Sequence, residues 1–202
     1  MIELSEDLGV YVDGAKTYHR VSTVLRDVFG AGYEGVDEDV VANAARRGRE
    51  VEALCYEYAV KGYVEAEVSE DCLPRIEAFD RFWTKYKPEY VAHQKTVYLD
   101  DIAGTLDLIL RIDGVITIPD IKCTAQVDKK WPIQLGAYAS MTTDTPLPAV
   151  AILHLNPSLN KAGYKLREYD TAIAMRWWRT TLEFWRMKRE ALLDAQRQKE
   201  SA

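Results

Sequence analysis

The chain has 202 residues, of which 48% are hydrophobic and 29% charged, and its formal net charge at pH 7 is −6. This length suits one domain with a substantial core, and the composition is typical of a soluble globular protein. No apolar run approaches the ~20 residues of a membrane span, and the acidic N-terminus lacks a secretory-signal pattern, so we expect a cytoplasmic protein without membrane contact. The negative charge argues against coating nucleic acid through bulk charge, but it is compatible with an enzyme that has a local basic groove.

The three cysteines, Cys55, Cys72 and Cys123, are scattered along the chain and include no CxxC pair. This pattern indicates reduced thiols and excludes a disulfide framework or a four-cysteine cluster. We therefore expect structural roles for all three.

The first 36 residues are predicted to hold a short hairpin and a short helix. The two strands cover 8–12 and 17–21 around Asp13-Gly14. Ser22 is placed to cap a helix that ends at Gly30, because a serine oxygen can accept from the first helical N–H groups.

Asp37 is a good N-cap for a long helix that reaches about Lys61 and is closed by Gly62. Positions at 4-3-4-3 spacing define its predicted inner face. All of them are small or apolar except Glu52. These positions are Val41, Ala45, Gly48, Glu52, Cys55 and Ala59. Either Glu52 has a buried partner, or the stripe is rotated slightly and Glu52 is solvated like Glu50 and Glu57.

The rest of the chain alternates between helices and strands. We predict helices over 74–86, 131–141 and 171–198, and strands over 90–99, 104–112, 115–122, 148–155 and 164–169. Asp170 caps the last helix, in which Trp177, Trp178 and Trp185 are expected to pack and not to stack on bases. This order predicts an α/β fold of the α+β type, with a central mixed β-sheet flanked by helices.

Asp113-Gly114 lies between two runs rich in Ile, Leu, Val and Thr, which is a strong hairpin signal. A two-residue loop sets Ile112 opposite Val115. Continued along the ladder, this register sets Asp107 opposite Asp120 and Thr105 opposite Lys122. Pro119 cannot donate to the ladder, however, so a bulge, a one-residue slip or a divergence of the strands is expected just before Asp120.

Two opposed carboxylates would repel each other and lose solvation among apolar neighbours. Lys122 supplies one compensating charge, and a divalent cation would supply the rest. Carboxylate oxygens suit Mg²⁺ or Mn²⁺, and the soft ligands that zinc prefers are missing from this stretch. The alternative is an exposed edge hairpin whose acids are simply solvated.

Three clusters of basic residues stand out: Arg46, Arg47 and Arg49; Lys129 and Lys130; and Arg186, Lys188 and Arg189. Such clusters are usually solvated faces. The first two lie beside the proposed site in sequence and are therefore candidates for a local basic groove.

Three short segments occur in an informative order: GTLD (104–107), PDIK (119–122) and QLGAY (134–138). Gln134 and Tyr138 are four residues apart and share one helix face. Together the segments resemble the PD-(D/E)XK nuclease superfamily, more narrowly its RecB-type and lambda-type phage exonuclease branch. GREVE (48–52) is similar to the family's first metal-binding segment, with Glu52 where a His is often found, and YHRVSTVL (18–25) is similar to the opening segment of this branch.

The resemblance implies a restriction-endonuclease-like core in a single nuclease domain, 1–202, with an N-terminal opening segment, 1–36. It implies that Glu52, Asp107, Asp120 and the Ile121 carbonyl hold Mg²⁺, or Mn²⁺. It further implies that Lys122 orients or deprotonates the attacking water, and that Gln134 and Tyr138 bind phosphate or the metal's ligands. The sequence departs from the family in having Cys123 before Thr124, where Thr often follows the lysine, and Gln94 where many members have Glu.

The implied activity is a Mg²⁺-dependent DNA exonuclease, acting without base specificity in phage or bacterial recombination or repair. A homo-oligomer and a single-strand annealing or recombination partner are consistent with that branch. The alternatives are an endonuclease or junction resolvase with the same chemistry, or a nucleic-acid-binding module that does not cleave. The intact Asp107, Asp120 and Lys122 argue against the last of these.

Overall fold

The structure is a computed structural model that describes residues 2–5, 7–32, 35–142 and 146–200. It contains five helices in this part of the chain: α1 (Val21–Phe29), α2 (Glu38–Lys61), α3 (Leu73–Tyr86), α4 (Trp131–Met141) and α5 (Thr171–Glu200). The strands are β1 (Glu3–Ser5), β2 (Val10–Asp13), β3 (Lys16–Arg20), β4 (Glu89–Leu99), β5 (Ile102–Ile112), β6 (Val115–Lys122), β7 (Ala149–Leu155) and β8 (Tyr164–Tyr169).

The strands form one mixed sheet in the order β1-β2-β3-β5-β6-β7-β8, with β4 paired to β5 beside this path. The pairs β3–β5 and β6–β7 are parallel, and the other pairs are antiparallel. The prediction of a central mixed sheet flanked by helices is therefore confirmed. The strand β1 was missed because three residues are too short to show an alternating pattern.

Helices cover both faces of the sheet and make two cores. On one face, α1, α4 and α5 pack against residues that include Leu106, Ile118 and Ile152. On the other face, α2 and α3 pack against residues that include Leu108 and Leu153. Within the described residues, none of the helices combines the length and the apolar character needed to span a bilayer.

Helix ends mostly follow the predicted caps. The Asp37 carboxylate accepts from the N–H of Asp39 at 2.9 Å, and Gly62 ends α2 with a φ of 81°. The prediction for Ser22 is wrong, since the N-cap of α1 lies two residues earlier, at Arg20, and makes no side-chain bond.

The predicted inner stripe of α2 is only half correct. Cys55 and Ala59 are buried, whereas Ala45 is exposed, because the first half of α2 extends beyond the core that its second half covers. The prediction for the tryptophans is confirmed for Trp178 and Trp185, which are buried, and wrong for Trp177, which is 46% exposed.

Candidate active site

The central strand β5 has an open stretch along one edge. One edge pairs with β4 along almost its whole length. The other edge pairs with β3 only at Ile102 and Ala103, and with β6 only from Leu110 to Ile112. Asp107 lies between these two pairings, and on this edge the described pairs give the backbone around it no partner strand.

Asp107 links the separated strands through its side chain. Its Oδ2 accepts a hydrogen bond from the backbone N–H of Ile121 at 2.8 Å. The predicted hairpin register is confirmed from Ile112↔Val115 to Leu110↔Thr117, but the extrapolated pairs Asp107–Asp120 and Thr105–Lys122 do not form. The strands diverge before Pro119, which has no N–H to donate, so the predicted divergence is the alternative that occurs.

Asp120 and Lys122 form an ion pair beside Asp107. Asp120 is 1% exposed, and its Oδ2 is a buried oxygen that contacts Lys122 without the geometry of a hydrogen bond. Burial lowers the pKa of the Lys122 ammonium, but the attraction of Asp120, Asp107 and Glu52 outweighs it, so the pKa is raised. The Lys122 side chain is thus held as an ammonium ion.

Glu52 faces the same group from α2. Its Oε1 accepts from Gln94 Nε2 at 3.1 Å and from the hydroxyl of Tyr56, and Gln94 Nε2 also lies 2.7 Å from that hydroxyl. The buried stripe of α2 is rotated away from Glu52, as one alternative predicted, since Val51 and Leu54 are buried and Glu52 is half-buried. Glu52 is nevertheless not simply solvated, because its carboxylate has two protein donors.

Sequence reasoning missed Tyr56 and treated Gln94 only as a departure from a family pattern. Tyr56 follows Glu52 by one helical turn, so the i,i+4 spacing was the available signal. Gln94 reaches the site from β4 with a φ of 50°, at the position that the register sets opposite Asp107. Leu106 and Leu108 face opposite cores, so the strand alternation is also interrupted at this point.

Burial and the two neighbouring acids strongly affect the Asp107 carboxyl. Burial raises the pKa of the Asp107 carboxyl well above its usual range, and the charges of Asp120 and Glu52 raise it further. Lys122 and the Ile121 N–H oppose this rise but do not cancel it. Ionisation of Asp107 is therefore unfavourable in the folded chain, and an added cation would favour the ionised form.

Gln134 and Tyr138 of α4 reach the group from the opposite face of the sheet to α2. Gln134 Nε2 donates to the Tyr138 hydroxyl at 2.8 Å, which confirms that the two side chains share one helix face. The buried Tyr138 ring lies over Gly104, where an added Cβ would be 2.7 Å from Tyr138 Cε1. Burial raises the pKa of the Tyr138 hydroxyl, and the charges of Asp120 and Asp107 add to the effect.

Asp107 and Glu52 line a groove of about 500 Å³ that the N-terminal strands and α1 help to form. Tyr11 donates to or accepts from Thr105 at 2.7 Å in its wall, and Arg20 and Arg49 line it. A second groove, of about 1160 Å³, shares Ser22 and Gln134 with the first and is lined by Lys122, Lys129 and Lys130.

The basic clusters thus have different roles. Arg49, Lys129 and Lys130 line the grooves, whereas Arg46 and Arg47 pair with Asp71. The α5 cluster is structural: Arg186 bonds Asp101 at 2.5 Å, Lys188 bonds the Asp27 carbonyl at 2.8 Å, and Arg189 lies over the Trp185 ring.

The chemistry of the donor set suits a hard cation. Glu52, Asp107 and Asp120 offer only oxygen ligands. In the part of the chain that the structure describes, however, three or more Asp, Glu, His or Cys side chains do not converge as closely as a metal ion requires. Each carboxylate is instead directed at a protein donor: the Ile121 N–H, the Lys122 ammonium, or Gln94 with Tyr56.

No protein-family model matches the sequence, and no curated protein matches it either. Among solved structures, the chain is similar to an alkaline exonuclease from Laribacter hongkongensis, with 14% identity and a TM-score of 0.48 over 91% of this chain and 93% of that chain. A structure of the same exonuclease in complex with dAMP gives 14% identity and a TM-score of 0.47 over 89% and 92% of the two chains. Likeness at this level assigns neither a family nor an activity.

Proposed function

We propose that the chain is a metal-dependent deoxyribonuclease that hydrolyses phosphodiester bonds as an exonuclease. The observation that carries this proposal is the juxtaposition of Asp107, the Asp120–Lys122 ion pair and Glu52 at an open edge of β5. A purely structural site would gain nothing from three mutually repelling carboxylates, since replacing such groups with apolar residues is often stabilising.

The proposed divalent cation, Mg²⁺ or Mn²⁺, would be held by Asp107, Asp120, Glu52 and the Ile121 carbonyl. When bound, it would favour ionisation of the attacking water and neutralise charge on the phosphate. The raised pKa of the buried Asp107 carboxyl beside two further acids supports this assignment, because a cation would favour its ionised form.

The protein side chains would contribute positioning and electrostatic stabilisation. Lys122, held as an ammonium by Asp120, would donate to the phosphate or to the water that attacks it. Gln134 and Tyr138 would orient a phosphate oxygen from the α4 side, and Gln94 and Tyr56 would hold Glu52 in place. None of these groups is matched to a base edge, so we infer cleavage without sequence preference.

The grooves support a DNA substrate in a catalytic domain that spans 1–202. Arg20 and Arg49 line one groove and Lys129 and Lys130 the other, so a phosphate backbone would meet positive charge on both sides of the acids. Binding should therefore weaken as the salt concentration rises.

The test is an assay of end-labelled linear, nicked and circular DNA with Mg²⁺, with and without EDTA. We expect the wild type to degrade linear DNA from its ends, EDTA to stop it, and Asp120→Ala and Lys122→Ala to abolish it. The matched control is Asp194→Ala, an exposed acid on α5, which should retain full activity. Cutting of circular DNA would indicate the endonuclease or resolvase alternative, and wild-type activity in Asp120→Ala would refute the assignment of the site.

A second candidate is a nucleic-acid-binding module that does not cleave. It is favoured by one observation, that the three carboxylates each engage a protein donor and do not converge. Salt-sensitive DNA binding without heat of Mg²⁺ binding in calorimetry, and without cleavage, would support this candidate over the nuclease.

A further inference from the structure

Helix α5 has two apolar faces, and the domain covers only one of them. The covered face carries Ala174, Trp178, Thr181 and Trp185, which are all buried. The second face repeats at 4-3-4-3-4 spacing and is exposed along its length. Its members, which we call the outer stripe, are Ile173, Trp177, Thr180, Phe184, Met187 and Ala191.

The outer stripe exposes large side chains: Trp177 is 46% exposed, Phe184 53% and Met187 67%. Contiguous exposed apolar surface of this kind marks interaction sites. Apolar residues that alternate at three and four positions form the seam by which one helix packs against another. The stripe covers about 27 Å of helix at 1.5 Å per residue, which is long enough for several layers of contact.

Charged residues border the outer stripe in one row. Arg176, Glu183 and Glu190 follow each other at intervals of seven, so they lie on the same side of the seam. None of the three forms an ion pair with the part of the chain that the structure describes. Their charges are therefore available to a partner.

These charges fit a second α5 that runs in the opposite direction. If the twofold axis passes near residue 182, Trp177 meets the partner's Met187, Thr180 meets the partner's Phe184, and Ile173 meets the partner's Ala191. Arg176 then lies beside the partner's Glu190, and the symmetry gives this pair twice. The unfavourable contact is Glu183 with the partner's Glu183 at the axis.

A parallel arrangement is less favourable. Its charged contact would be an ion pair between Glu183 and the partner's Lys188. Lys188, however, already donates to the Asp27 carbonyl of α1 at 2.8 Å. It would also leave Arg176 and Glu190 without charged partners across the seam.

We propose that two copies of this chain associate through the outer stripe as an antiparallel pair of α5 helices. Two crossing helices bury less than the ~800 Å² per partner of a standard interface, so the dimer is expected to dissociate at micromolar concentrations. The dimer is independent of the proposed nuclease activity, since the stripe contains none of the site residues.

Analytical ultracentrifugation of the full chain over a range of concentrations tests whether the outer stripe forms the dimer. The wild type should approach twice the chain mass, and Phe184→Glu should remain monomeric with unchanged circular dichroism. Leu193→Glu is the matched control: Leu193 is 47% exposed on α5 but lies outside the stripe, and its substitution should leave the dimer intact. A wild type that stays monomeric at the highest concentration, or forms a trimer, would overturn the proposal.

Charge reversal tests the direction of the helices. Arg176→Glu should raise the dissociation constant about tenfold, since two weak pairs become repulsive, and adding Glu190→Arg should restore it. Glu183→Gln should tighten an antiparallel dimer by removing the repulsion at the axis, whereas it would weaken a parallel one. Failure of the double variant to recover, or weakening by Glu183→Gln, would contradict the antiparallel arrangement.

Discussion

At the scale of single residues, one contact explains both Gly104 in the GTLD segment and Tyr138 in the QLGAY segment. The Tyr138 ring occupies the space that a Cβ of residue 104 would need, so Gly104 allows the ring to reach the acids. The same ring is held through its hydroxyl by Gln134. The spacing of Gln134 and Tyr138 therefore places both side chains over β5, and it requires that residue 104 of this strand has no side chain.

Gly104→Ala should reduce DNA cleavage on the order of 10- to 100-fold while the fold is retained. The added methyl group would lie 2.7 Å from Tyr138 Cε1 and displace the ring, and small displacements of positioning groups cost this much. Initial cleavage rates and thermal unfolding of both proteins check the prediction. Gly48→Ala is the control, since its Cβ meets no atom within 4 Å and it lies inside α2; an equal loss in that variant would contradict this explanation.

Asp107→Asn should abolish cleavage and, at pH 7 without Mg²⁺, should leave the protein at least as stable as the wild type. Burial and the neighbouring acids raise the pKa of Asp107 in the folded state, so its ionisation destabilises the fold. Above about pH 4, Asp107 holds a proton more often in the folded chain than in the unfolded chain. The wild type must therefore gain stability relative to the variant as the pH falls toward 4.

Urea unfolding of both proteins between pH 4 and pH 7 measures this difference. A wild type that gains no stability relative to Asp107→Asn on acidification would show that the charge of Asp107 is already compensated in the folded protein.

At the scale of elements, the site depends on where strands separate and where helices approach. β6 leaves β5 before Pro119, and the space between them is bridged by the Asp107 carboxylate. On the other side, α4 lies so close to α5 that a Cβ on Gly136 would overlap the Ala174 carbonyl. Gly136 lies between Gln134 and Tyr138, so this close contact also sets the depth of both side chains.

Gly136→Ala should destabilise the fold by about 1–3 kcal/mol, because the obstructing atoms are backbone and the helices must move apart. Thermal and urea unfolding measure this cost. Gly48→Ala again provides the comparison, since the same change in an open helical position should stabilise by about 1 kcal/mol. Equal effects of the two substitutions would show that α4 and α5 are not in close contact.

At the scale of the whole molecule, metal binding should stabilise the folded chain, because the unfolded chain cannot gather residues from α2, β5 and β6. At a Mg²⁺ concentration of ~100 times the dissociation constant, the gain would be about 2.7 kcal/mol. Thermal scans with Mg²⁺ and with EDTA measure this gain. Glu52→Ala should show a smaller rise, and a wild type whose Tm does not respond to Mg²⁺ or Mn²⁺ would refute the proposed metal site.

The sequence by itself determined the local elements and the residues worth examining. Asp113-Gly114 specified the turn through its need for positive φ, and the caps Asp37, Gly62 and Asp170 specified helix ends, because these depend on neighbouring residues only. The order of Asp107, Asp120, Lys122, Gln134 and Tyr138 indicated a candidate site through its resemblance to the motifs of a nuclease family.

The tertiary structure alone decided how those residues meet. The extrapolated pairing of Asp107 with Asp120 does not form, because β6 leaves β5 before Pro119. Pro119 marked this place in the sequence, but only the assembled sheet shows that the Asp107 carboxylate bridges the gap to the Ile121 N–H. Gln94 and Tyr56 joined Glu52 through a strand irregularity and a helix–sheet contact between distant segments. Likewise, only packing decided that Trp178 is buried while Trp177, its neighbour in the chain, remains on the surface. Contacts between distant segments depend on the whole packing arrangement, and local periodicity does not encode it.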